Sequence, residues 1–262
     1  GKTQSLDVII FEKDGQEIFR IEDFGYVYSQ FTDAILEAGP DTFVEHFLSG
    51  DDQIEGTAGA DRIYAGAGDD TVDSGAGDDL LIGGNGLGND LYIGGAGIDT
   101  IKYSSAASGI RVSLEEGNAS SIFENLAAIG FDKLSGIENI IGGKFNDTLI
   151  GDKNKNLIDA GAGNDILFGG VGNDTLIGGE GNDILDGGDG LDFAVFDAPA
   201  SAINKTSDGW LVNGDSLLNI ERLEFSDTVV ALDITGNAGI VAKLLGATFG
   251  KESISNKALV GV

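Results

Sequence analysis

Residues 160–192, from Ala160 to Asp192, read AGAGNDILF-GGVGNDTLI-GGEGNDILD-GGDGLD and repeat every nine residues. The units follow Gly-Gly-x-Gly-x-Asp-x-apolar-x, with Ala160 in the first glycine position of the first unit. Asp165, Asp174, Asp183 and Asp192 hold the sixth position; Leu167, Leu176 and Leu185 hold the eighth. Loop composition keeps no such period. Glycines at the first, second and fourth positions permit positive φ and close backbone approach, so six residues make a tight turn. The last three residues alternate as a short strand does, the eighth facing one side and its neighbours the other. The stretch predicts a coil built one short strand at a time, two units to a turn.

Working outward, the second array opens at Gly142 with GGKFNDTLI and GDKNKNLID and runs over 142–196. Both units are degraded. Phe145 replaces the fourth-position glycine beside Asp147, and Asn156 replaces the acid in a unit lacking both inner glycines. The first array, 56–102, reads GTAGADRIY, AGAGDDTVD, SGAGDDLLI, GGNGLGNDLYI and GGAGIDTIK. Its acids are Asp61, Asp70, Asp79, Asp90 and Asp99; its eighth-position residues are Ile63, Val72, Leu81, Tyr92 and Ile101. The unit at 83–93 carries two extra residues, which puts the Asp70/Asp90 pair at risk.

The fold class expected is all-β dominated: two parallel β-roll (β-helix) arrays with β-rich caps and a short C-terminal helical segment. Residues 1–55 read as an N-terminal cap. Strand-like runs Leu6–Phe11 and Gln16–Phe24 flank the turn signal Glu12-Lys13-Asp14-Gly15, and helical patterns follow near Phe31–Leu36 and Thr42–Leu48. Residues 103–141 are a spacer or β cap, and 197–235 a second cap. Each carries a strand-like run, IRVSL (110–114) or WLVNG (210–214), then a Leu-x-x-Ile-Glu-x-apolar phrase, at Leu134/Ile137/Glu138 and Leu217/Ile220/Glu221. The repetition implies a duplicated unit of array plus cap. Residues 236–262 are read as a truncated helical segment, from the helical spacing over Asn237–Phe249 and a second pattern at Ser253–Val262. With Gly1 in place of an initiator Met, the chain reads as part of a larger polypeptide.

Stacked turns lie about 4.8 Å apart, so each acid sits beside the acid two units on. Carboxylates that close repel unless a cation stands between them. The pairs expected are Asp61/Asp79, Asp70/Asp90, Asp79/Asp99, Asp147/Asp165, Asp165/Asp183 and Asp174/Asp192, with Asn156/Asp174 weaker for want of a charge. Backbone carbonyls would complete each cage, from Gly59, Gly66, Gly68, Gly75, Gly77, Gly95, Gly97, Gly161, Gly163, Gly170, Gly172, Gly179, Gly181, Gly188 and Gly190. Six to eight oxygens in a flexible loop suit Ca²⁺, whereas Mg²⁺ demands a smaller, stricter octahedron. About six or seven ions are expected on this reading.

Composition agrees. The net charge is −29 and the sequence pI about 4.1, which opposes nucleic acid and anionic membranes as partners. No cysteine is present and His46 is the only histidine, leaving little material for a zinc site or a Ser-His-Asp triad. No catalytic residue is assigned and no enzyme activity is expected. No run reaches the length of a membrane span. Asp152-x-Asn154-x-Asn156 hints at an EF-hand, but Leu157 stands where that loop needs glycine. Positions seven and nine face outward and place Ile150, Ile166, Phe168 and Ile184 on one face, either covered by other parts of the protein or available for self-association.

GGVGNDTLI and GGEGNDILD resemble the RTX (repeats-in-toxin, hemolysin-type) calcium-binding nonapeptide, and the resemblance covers eleven units. It implies a calcium-binding, parallel β-roll region in a secreted, extracellular or cell-surface bacterial protein. It also implies export by a type I secretion apparatus and folding on meeting calcium outside. The family spans several activities. Two alternatives therefore stand beside that reading: a structural or adhesive module of a surface layer, matrix or large adhesin, and the non-catalytic C-terminal part of a secreted hydrolase, protease or epimerase.

Overall fold

The computed structural model describes residues 8–13, 16–22, 50–83, 88–122, 129–200, 203–205 and 210–232. Among these the chain is nearly all strand, with no helix, which agrees with the all-β, parallel β-roll part of the expected fold class. The helical patterns read at 31–36, 42–48, 237–249 and 253–262 lie outside the described residues. No helix among the described residues is long and apolar enough to cross a membrane. The chain forms two compact units, Gly1–Gly143 and Lys144–Val262.

In the first unit a hairpin, β1 (Val8–Lys13) and β2 (Gln16–Glu22), pairs Lys13 with Gln16. β2 runs antiparallel to β3 (Gln53–Glu55). The repeats then lay down β4 (Arg62–Tyr64), β5 (Thr71–Asp73), β6 (Leu80–Ile82), β7 (Leu91–Ile93) and β8 (Thr100–Lys102), three residues each. Alternate strands go to opposite sheets. β3, β5 and β7 stack in parallel, with Ile54, Val72 and Tyr92 in register. β4, β6 and β8 do the same through Ile63, Leu81 and Ile101. The two extra residues at 83–93 change the step from 18 to 20 residues without breaking the register, Val72 still facing Tyr92.

The spacer is a meander, β9 (Ile110–Ser113), β10 (Asn118–Ser121) and β11 (Phe131–Ser135), whose last strand docks parallel on β7 with Leu134 against Tyr92. β12 (Asn139–Ile141) docks parallel on β8 with Ile140 against Ile101.

The second unit repeats this plan. β13 (Thr148–Ile150), β15 (Ile166–Val171) and β17 (Ile184–Asp189) form one parallel stack. β14 (Leu157–Asp159), β16 (Thr175–Ile177) and β18 (Phe193–Val195) form the other. β15 and β17 exceed the expected three residues: these two intact turns lie in register, and their glycines pair as well, Gly170 with Gly188. A second meander follows, β19 (Ile203–Lys205), β20 (Trp210–Val212) and β21 (Asp215–Leu218), and β21 docks on β17 with Leu217 against Leu185. β22 (Arg222–Glu224) docks on β18, and β23 (Val229–Ala231) closes the edge. The run 210–214 is not all strand. Val212 pairs with Asp215, and Asn213-Gly214, both at positive φ, make the tight two-residue turn that Asn-Gly favours.

The interior is the column of eighth-position residues. Val72, Leu81, Tyr92, Ile101, Leu149, Ile158, Leu167, Leu176, Leu185 and Ala194 are all 0% exposed. Each large apolar side chain so enclosed contributes about 1.5–3 kcal/mol. One side chain per nine residues is a thin core against the conformational freedom of 43 glycines.

Candidate metal centre

The sixth-position acids lie immediately before each strand and share the inward side with the eighth residue. Asp70, Asp79, Asp90, Asp99, Asp147, Asn156, Asp165, Asp174, Asp183 and Asp192 are buried. They form a ladder in which one carboxylate oxygen accepts the backbone N–H of the preceding turn's sixth residue. Asp61 N donates to Asp79 Oδ1 at 2.8 Å, Asp70 N to Asp90 Oδ1 at 2.9 Å and Asp79 N to Asp99 Oδ1 at 2.9 Å. In the second unit Asp147 N donates to Asp165 Oδ1 at 2.7 Å and Asp165 N to Asp183 Oδ1 at 2.9 Å. Asn156 N reaches Asp174 Oδ1 and Asp174 N reaches Asp192 Oδ1, each at 2.8 Å. All seven residue pairs read from the sequence are therefore brought together, Asp70/Asp90 included.

The ladder uses Oδ1 and leaves Oδ2. In Asp52, Asp70, Asp79, Asp99, Asp165, Asp174, Asp183 and Asp192 the Oδ2 atom is buried with no hydrogen-bond partner. Burying a carboxylate oxygen unpaired is costly, and its recurrence at eight ladder positions is a systematic feature. Burial is also the largest cause that lifts several of these acids above the usual carboxylate range: Asp70 to about 8, Asp165 to about 7, and Asp52 and Asp174 to about 6. Asp99, Asp183 and Asp192 move the same way for the same reason. The orphaned atoms are hard oxygen donors. No group of three or more acidic or histidine side chains converges among the described residues, so a cation here would rest on paired carboxylates with backbone oxygens. That is a calcium-type donor set.

Four members differ: Asp147, and three whose partners explain why. Asp61 Oδ2 accepts Thr57 N at 2.6 Å and Thr57 Oγ1 at 3.1 Å. Asn156 Oδ1 accepts Asp152 N at 2.8 Å within its own degraded turn. Asp90 Oδ2 accepts the Tyr92 hydroxyl at 3.0 Å. Burial raises Tyr92 and Tyr103 well above the ordinary tyrosine value, which keeps both hydroxyls protonated as donors.

The glycines named for carbonyls hold the expected left-handed backbone at Gly66, Gly68, Gly75, Gly77, Gly95, Gly97, Gly161, Gly163, Gly170, Gly172, Gly179, Gly181 and Gly188. Gly59 and Gly190 do not. At Gly181, φ is 144° and an added Cβ would strike the carbonyl oxygen of Gly163 one turn below. Successive turns thus stack with carbonyls pressed against glycine Cα atoms.

Several acids escaped the sequence reading. Asp52 N donates to Asp70 Oδ1 at 2.9 Å, extending the ladder one turn before Gly56. Asp132 Oδ1 accepts Asp90 N at 3.0 Å and Asp215 Oδ1 accepts Asp183 N at 2.9 Å, although both lie in spacers. Glu138 and Glu221 close the other sheet of each unit: Asp99 N reaches Glu138 Oε2 at 2.9 Å, and Asp192 N reaches Glu221 Oε2 at 3.0 Å. The signal was Asp-x-Leu-x-x-Ile-Glu, which reads Asp132 to Glu138 and Asp215 to Glu221. A second ladder, at position five, runs the opposite way: Asn164 N donates to Asn146 Oδ1 and Asn182 N to Asn164 Oδ1, both at 2.9 Å.

Comparison with known protein families finds four copies of the RTX calcium-binding nonapeptide repeat, at residues 48–81, 75–101, 134–167 and 159–194. No curated protein matches the chain. The matched segments coincide with the stacked turns and their carboxylate ladders. Such repeats bind calcium ions and form a structural module. Residues 48–101 and 134–194 of this chain are RTX calcium-binding nonapeptide repeats.

Proposed function

We propose that the chain is the calcium-binding β-roll region of a larger secreted bacterial protein, folding on Ca²⁺ outside the cell and supporting type I secretion and stability. The observation that carries this is the row of buried Oδ2 atoms without partners, at Asp52 and at seven of the repeat acids. In this reading the seven pairs hold six or seven ions, with Oδ2 atoms and the glycine carbonyls as ligands. Asp52 with Asp70 adds a candidate, and Asp70/Asp90 is weakened by Tyr92. Bound calcium supplies the positive charge that the stacked carboxylates lack. Six or seven ions offset about 12–14 of the negative charges that oppose compaction. They bind the folded form alone and so stabilise it. Far-UV circular dichroism in EDTA and in millimolar Ca²⁺ tests this: β signal appears with calcium, and the same signal in EDTA would refute coupled folding.

A second reading has its own observation. Ile150, Ile166, Phe168 and Ile184 lie on the outer face of one sheet, with Phe168 39% and Ile184 40% exposed and Leu218 beside them 44% exposed. This supports an adhesive or assembling module that self-associates through that face. Light scattering in calcium separates the two: a concentration-dependent rise in mass, abolished by Phe168→Ser with Ile184→Ser, favours it. A strict monomer removes it.

A further inference from the structure

The two units end in the same device, built from different side chains. Asp90 and Asp183 are the last ladder acids on the sheet that receives each meander, and Asp132 and Asp215 accept their N–H groups. Tyr103 and Phe196 also correspond. Each follows the last repeat strand of its unit, and each donates its N–H to the final carbonyl of the strand docked there, Tyr103 to Ile141 and Phe196 to Glu224. Tyr92 and Leu185 correspond as the eighth-position residues facing Leu134 and Leu217. In the first unit the Tyr92 hydroxyl fills Asp90 Oδ2 and the Tyr103 hydroxyl fills Asp132 Oδ2, at 3.0 and 2.8 Å. In the second unit Leu185 and Phe196 offer no hydroxyl. Asp183 is 1% exposed and its Oδ2 is left without a partner.

We infer that Asp215, outside the repeats, completes a further Ca²⁺ site with Asp183, and that Tyr92 and Tyr103 replace that ion at the equivalent Asp90/Asp132 position. The inference rests on the calcium reading above and adds to it. Two neutral hydroxyl donors satisfy Asp90 Oδ2 and Asp132 Oδ2 in one unit; in the other a cation takes their place at the orphaned Asp183 Oδ2, with Asp215 as the second carboxylate. In the first unit the β7 side thereby ends without metal, and in the second the β17 side depends on calcium to its last turn.

Calcium bound per chain at saturation, counted by equilibrium dialysis with elemental analysis, tests it on the full chain. Asp215→Asn keeps the Oδ1 acceptor and is expected to bind one ion fewer than the parent. Asp132→Asn is expected to bind the same number. Tyr92→Phe with Tyr103→Phe is expected to bind one more. An unchanged count in Asp215→Asn, or no gain in the double phenylalanine variant, overturns the assignment. If Asp215→Asn does not fold, the gain in the phenylalanine variant decides. A parent chain that binds no calcium at all would instead refute the calcium reading itself.

Discussion

The backbone N–H of Asp165 donates to Oδ1 of Asp183 at 2.9 Å, while Oδ2 of Asp183 is buried with no partner. One oxygen builds the coil and the other waits for charge compensation. Asp90 is the contrast, with Oδ1 on Asp70 N and Oδ2 on the Tyr92 hydroxyl. Asp183→Asn, which keeps the structural acceptor, is therefore expected to raise the calcium midpoint of folding about tenfold, equivalent to ~1.4 kcal/mol. Asp90→Asn is expected to shift it by less than about twofold, ~0.4 kcal/mol. Calcium titrations followed by circular dichroism measure both, and equal midpoints would refute the ranking.

Proton competition gives a second expectation. Burial raises Asp70 to about 8, Asp165 to about 7 and Asp174 to about 6 in the metal-free fold. A raised value means that the fold binds more protons than the unfolded chain. The metal-free fold is therefore favoured in acid and loses stability as pH rises through about 6–8. Calcium needs the deprotonated carboxylates. Its folding midpoint is expected to move to higher calcium at about pH 5.5 than at about pH 8, while the EDTA-treated chain shows more β signal at the lower pH. Titrations at the two pH values check both, and a midpoint that does not move would contradict it.

The stacking of turns gives a third. Gly181 has φ 144°, and a Cβ there meets the Gly163 carbonyl, whereas a Cβ at Gly50 meets nothing within 4 Å. Gly181→Ala is expected to destabilise the calcium-loaded form by about 1–3 kcal/mol. Gly50→Ala is expected to stay within about 0.5 kcal/mol of the parent. Denaturant unfolding in saturating calcium compares them.

Position six and position eight were enough to read the coil, because the period fixes which residues stack. Val72 meets Tyr92 and Leu167 meets Leu185 as spacing alone requires. The insertion at 83–93 looked dangerous to the Asp70/Asp90 pair, yet the strand register on either side is kept. Asp52 was missed although Gly50, Asp52 and Ile54 hold positions four, six and eight of half a unit. Asp132 and Asp215 lack any glycine frame; they reach the ladder because the meanders carry β11 and β21 onto the repeat strands, a long-range pairing that no local period encodes. The position-five ladder was legible in the recurring Asn146, Asn164, Asn173 and Asn182, but a solvent-facing polar residue gives little reason to look for a partner one turn away.

The most direct measurement is a crystal structure of the chain grown in calcium, with anomalous scattering used to place the metal. Peaks are expected about 2.3–2.6 Å from the orphaned Oδ2 atoms, with Asp165, Asp174, Asp183 and Asp192 among them and the clearest in the intact turns of residues 160–192. Those carboxylate oxygens found bonded only to water or protein donors, with no anomalous density beside them, would contradict it.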